Sequence, residues 1–122
     1  MLFRKLSPEE LLSKFTLAQK DYFAQKEILE NMERYFEEVR KSYYMYKHYY
    51  EFALAEYARF GGRIYSEKEI EARHKYAIAS KNYNLEQNRL SFQQCKFKKA
   101  HKLYKRLRKL LDKTEEKNSQ PQ

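Results

Sequence analysis

The chain has no tryptophan, one cysteine, two prolines and two glycines in 122 residues, and each scarcity removes a class of answer. An all-β fold needs turn residues roughly every 8 to 12 positions, and so few glycines and prolines exclude it. Pro8 and Pro121 stand at opposite ends, leaving Gly61-Gly62 as the one helix-breaking signal between them. The lone Cys95 permits no internal disulfide and fits a reducing compartment; its residue type predicts a small, half-buried side chain rather than a reactive thiol. No stretch reaches the roughly 18 apolar residues of a membrane span, and the opening M-L-F-R-K-L-S-P-E-E lacks a signal peptide's apolar core, so a cytoplasmic protein is expected. A glycine-rich phosphate loop, a nucleophile elbow and an H-E-x-x-H zinc motif are all missing, so neither an enzyme nor a bound cofactor is expected.

What remains is the composition of long helices. From Ser7-Pro8-Glu9-Glu10 onward, apolar residues recur at alternating steps of four and three: Leu11, Phe15, Ala18, Tyr22, Leu29, Met32, Phe36, Val39, Tyr43, Tyr46, Tyr50, Ala53, Tyr57 and Phe60, with Gln25 the one polar member. Ser7 is a good N-cap, Pro8 suits the first helical position, Glu10 completes a capping box and Leu6 can staple onto Leu11. The same 3.5-residue repeat resumes after the glycines through Glu69, Ala72, Tyr76, Ala79, Tyr83, Glu86, Leu90, Gln93, Phe97, Ala100, Tyr104, Leu107 and Leu111. Sustained over this length it is a coiled-coil seam.

Gly61 and Gly62 can adopt the left-handed conformation that closes a helix, and Ser66 with Glu69 offers a second capping box, stapled by Tyr65 on Ile70. The fold expected is therefore all-α, an antiparallel two-helix coiled-coil hairpin able to dimerise into a four-helix bundle. Its helices should span about 8–60 and 67–113, joined by a bend over 61–65 with Gly61 and Gly62 as the hinge, in a single domain over 1–113. The polar stretch 114–122 is expected to be a disordered tail. Folding back about residue 63 places Val39 and Met32 near the polar seam residues Glu86 and Gln93. These two either fix the register or lie at a hydrated, splayed part of the seam.

Several residues invite a chemical reading. Eight tyrosines (22, 43, 46, 50, 57, 76, 83 and 104) could stack nucleobases, but their seam spacing favours packing with hydroxyls at the edges. Tyr44 and Tyr49 lie off the seam and are better placed for contacts. Glu71 and His74 have the Glu-x-x-His spacing of helical-bundle metal sites, yet the register turns both outward. His48 and His101 are expected to be solvated or cap-like.

Charge carries the strongest functional signal. Residues 1–60 hold ten Lys/Arg and ten Asp/Glu, so the net +9 belongs to the second half. Between residues 87 and 113, Arg89, Lys96, Lys98, Lys99, Lys102, Lys105, Arg106, Arg108, Lys109 and Lys113 oppose Asp112 alone. Glu27, Glu30, Glu33, Glu37 and Glu38 could neutralise them across the hairpin, or the cations could form a docking surface for an acidic partner. Beside them Ile78, Leu85 and Phe92 recur every seven residues as an uncovered flank, matched on the first helix by Ile28, Tyr35 and Tyr49.

These features predict a non-enzymatic adaptor or assembly protein. It would dock onto an acidic protein surface or complex through Arg89, Lys98, Lys99, Lys102, Lys105, Arg106 and Lys109 and the flank Ile78, Leu85 and Phe92, with a homodimer as one way of covering the flank. The alternative is nucleic-acid binding, with the same cations on a phosphate backbone. A membrane-surface helix over residues 97–111 is weaker, since the seam already uses Phe97, Tyr104, Leu107 and Leu111.

Overall fold

A computed structural model describes residues 6–119. Two helices pack against each other as an all-α hairpin, and among the described residues there is no strand. Helix α1 spans Pro8–Phe60 and helix α2 spans Gly62–Ser119. The start of α1 follows the capping signal: the Glu10 amide donates to Ser7 Oγ at 3.1 Å and the Leu11 amide to the Ser7 carbonyl at 2.9 Å. Leu6 packs on the cluster of Leu11, Ala18 and Leu107, as a hydrophobic staple does.

The bend is shorter than the expected 61–65. Gly61 (φ +64°) and Gly62 (φ +87°) both take positive φ, the Gly61 amide donates to the Tyr57 carbonyl at 2.9 Å, and α2 begins at Gly62 rather than near residue 67. Two competing stop–start signals stand side by side here, and the glycines win because a left-handed pair completes the reversal without further residues. Ser66 is consequently inside α2 and caps nothing. Arg63 instead pairs with Glu67 at 3.2 Å across one turn, and Tyr65 stacks on Phe60 at 5.3 Å in place of Ile70, which is exposed.

At the other end the expected tail is helical through residue 119. Polarity alone does not stop a helix, and no Pro or Gly intervenes before Pro121; Thr114 Oγ1 donates back to the Leu110 carbonyl at 2.9 Å. Residues 120–122 of that expected tail lie outside the described residues.

Contacts gather into two units. Among the described residues, the terminal unit comprises 6–30 and 92–119, and the bend unit 31–91. In the terminal unit the seam is a stack of rings. Tyr22 lies against Tyr104 at 4.8 Å with an interplanar angle of 3°, and also against Phe97 at 5.6 Å, while Phe15 stacks on Tyr104 at 5.5 Å. His101 joins this stack on Tyr22 at 5.0 Å, so it is packed rather than solvated or cap-like.

In the bend unit Tyr43 pairs with Tyr83 at 4.6 Å and Tyr50 with Tyr76 at 5.6 Å, as folding back near residue 63 places them. Two further contacts link rings one heptad along, Tyr43 with Tyr76 and Phe36 with Tyr83. Seven of the eight seam tyrosines are half-buried and Tyr57 is exposed. The hydroxyls of Tyr43 and Tyr76 lie 3.5 Å apart; this hydrogen bond, with a smaller contribution from burial, holds the Tyr43 phenol above its usual pKa.

Small residues let the helices approach between the rings. Ala18 and Ala100 in the terminal unit, and Ala53 and Ala72 in the bend unit, are buried, Ala72 completely. The polar seam residues are buried too, Glu86 at 8% and Gln93 at 7% exposure. Glu86 Oε1 accepts from the Arg89 guanidinium at 2.8 Å. Gln93 does not use Met32: its amide donates to Gln25 Oε1 at 2.5 Å, so the two glutamines that interrupt the apolar repeats satisfy each other. Among the described residues no buried side-chain polar atom lacks a partner, which removes the penalty that a lone glutamine in the seam would carry.

Candidate docking surface of the terminal unit

Every side chain that the sequence nominates for partner binding is exposed, because each sits outside the a and d positions of the repeat. The two units divide the set. Ile78, Leu85 and Arg89 belong to the bend unit; Phe92, Lys98, Lys99, Lys102, Lys105, Arg106 and Lys109 belong to the terminal unit. Arg89 is engaged by Glu86, whereas among the described residues no ion pair holds Lys98, Lys99, Lys102, Lys105 or Lys109. The carboxylates of Glu37 and Glu38 turn to Arg40 at 3.4 Å and Lys41 at 3.6 Å on their own helix. Arg108 reaches the Tyr104 hydroxyl at 3.5 Å, and the Lys96 ammonium sits 4.9 Å above the Phe92 ring, a cation–π contact that keeps the apolar ring and a charge together.

The same unit holds a second feature, missed by the sequence reading: a groove that none of these five lysines lines. The terminal unit has a groove of about 740 Å³ between α1 and α2, within the size range of sites that take a ligand or a partner's side chains. Its floor is leucine: Leu6, Leu11, Leu17, Leu103, Leu107 and Leu110. Leu11 and Leu107 are buried in the seam, but Leu17, Leu103 and Leu110 are 65%, 43% and 41% exposed. Lys14, Arg106, Lys113 and Lys117 also line it, with Asp21 as the one acid among the described residues.

The register contained the signal. Leu103 and Leu110 are seven residues apart, immediately before Tyr104 and Leu111 of the seam, so they border the seam on one side of α2. The helical continuation past residue 113 adds Thr114 and Lys117, residues assigned to the tail from composition.

No known protein family, curated protein or solved structure matches this chain.

Glu71 pairs with Lys75 at 3.1 Å, which holds the Lys75 ammonium above its usual pKa, and His74 is exposed one turn away on the outer face. No group of three or more His, Cys, Asp or Glu side chains able to hold a metal occurs among the described residues. Cys95 is exposed rather than half-buried, since its register position faces away from the seam. Off the seam, Tyr44 carries Arg40 and Lys47 over its ring at 5.8 and 6.0 Å, and Tyr49 is exposed. No described helix is long and apolar enough to cross a membrane.

Proposed function

We propose that this chain is a non-enzymatic coiled-coil adaptor that docks onto an acidic surface of a larger protein assembly through the basic side of α2 in its terminal unit. The observation that carries the reading is the presence, in one unit, of exposed lysines that no ion pair holds among the described residues and of a groove where exposed leucines lie with Lys14, Lys113 and Lys117. Lysines that only solubilised a helix would need no apolar neighbours. Cations that steer a protein partner do, because charge sets encounter and register while buried apolar area holds the complex.

The rival is nucleic acid on the same lysines. Phosphate contacts release counterions, so log affinity for duplex DNA falls with log salt at a slope near −0.9 per contact, roughly −4 for four contacts. The test uses the tagged full chain as bait in nuclease-treated extract of its source, followed by a salt titration of whatever is retained. Expected is a protein partner that survives nuclease, shows a slope shallower than about −2 because apolar contacts share the binding, and is weakened by Phe92→Ala. Bound nucleic acid, read as a raised 260/280 nm absorbance ratio that a high-salt wash removes, together with a steep slope would overturn the adaptor reading.

A further inference from the structure

We infer that the leucine-floored groove of the terminal unit is a receptor for an acidic amphipathic helix of the partner protein. This rests on the docking reading and names the partner's chemistry. Length is the first argument. On α2 the lining runs from Leu103 to Lys117, about 21 Å at 1.5 Å per residue, or roughly four helical turns. A trough between two packed helices presents ridges at three- and four-residue steps, and a third helix fills such a trough with its own ridge.

Polarity is the second. The exposed Leu17, Leu103 and Leu110 require apolar side chains above them, so a polyphosphate backbone laid here would leave the floor uncovered. Sign is the third, and it excludes the obvious occupant. Among the described residues, Lys14, Lys113 and Lys117 against Asp21 give the groove a net positive border, and the whole chain carries +9. Two copies meeting groove to groove would place these cations against each other, whereas glutamates flanking the apolar stripe of a foreign helix would meet them with opposite charge.

The probe is a capped 16-residue peptide with leucines at i, i+3, i+4 and i+7 and glutamates on both flanks. Its twin carries lysines in place of the glutamates. Each is titrated against the full chain by fluorescence anisotropy. The glutamate peptide is expected to saturate, to bind at least about tenfold more tightly than the lysine twin, and to lose at least about tenfold in affinity to Leu17→Glu combined with Leu110→Glu. Both leucines are exposed, so the double variant should keep its circular dichroism, and an unaltered spectrum confirms that the loss is local.

Equal binding of the two peptides, no saturable binding of either, or indifference to the leucine substitutions would overturn the inference. Sedimentation showing a dimer that the same two substitutions dissolve would also overturn it, by assigning the groove to a second copy. Equal loss of the glutamate peptide to phosphatidylserine vesicles in a competition assay would assign it to a lipid surface. If reversing Lys98, Lys102, Lys105 and Lys109 abolishes retention of the native partner while Leu17→Glu with Leu110→Glu leaves it unchanged, the docking reading stands and the groove inference falls.

Discussion

Tyr22→Ala should destabilise the terminal unit by about 3 kcal/mol, the usual scale for removing a packed aromatic ring and the ring–ring contacts it makes. Tyr22 touches four rings at 4.8 to 5.6 Å: Phe23, Phe97, His101 and Tyr104. Among the described residues of this unit no other joins so many, and no large side chain is fully buried to compensate. A loss of this size lowers the melting temperature by roughly 10 °C or more in a chain of this length. Tyr22→Phe keeps the ring and should cost less than about 1 kcal/mol, well inside the cost of a lost ring. Thermal melts followed at 222 nm decide it: if the alanine variant melts within about 3 °C of the parent, the stacked rings do not carry the stability assigned to them.

The second large effect concerns the reversal of the chain. A Cβ at Gly61 or Gly62 would meet nothing within 4 Å, so replacing both with alanine adds no clash. The cost is in the backbone, about 1 to 2 kcal/mol for each non-glycine residue held at left-handed φ. The chain can escape that cost by letting α1 continue into α2 and pairing the opened arms with a second molecule. Expected in size-exclusion chromatography with X-ray scattering is an extended or domain-swapped dimer in place of the compact species. An unchanged compact species with an unchanged melting temperature would show that the turn does not depend on glycine conformation.

Sequence and structure agree where the physics is periodic. The seam was legible because a 3.5-residue repeat of apolar side chains has one geometric solution, and the N-terminus of α1 because Ser7, Pro8 and Glu10 act locally. The bend was misplaced because the Ser66 box and the glycines made competing local claims, and only tertiary context ranks them. Gln25 and Gln93 are 68 positions apart, so their pairing follows from the register of one helix against the other. The groove was legible only in part: the seven-residue spacing of Leu103 and Leu110 marks its side on α2, but Leu17 reads as an ordinary exposed apolar residue until the two helices bring it to the same trough. Past residue 113, composition suggested fraying, but polarity does not end a helix and the chain supplies neither Gly nor Pro there before Pro121.

The most direct test of the docking account is retention of the native partner by the chain carrying Lys98→Glu, Lys102→Glu, Lys105→Glu and Lys109→Glu, measured beside its helix content and melting temperature. All four lysines are exposed and off the seam, and single surface charges contribute about 1 kcal/mol or less to stability. The account predicts that partner binding disappears while helicity holds and the melting temperature moves by only a few degrees, about what such surface changes produce. Binding retained at parental strength, or a chain that unfolds because these lysines are counter-charges for the acidic side chains of α1, would contradict it.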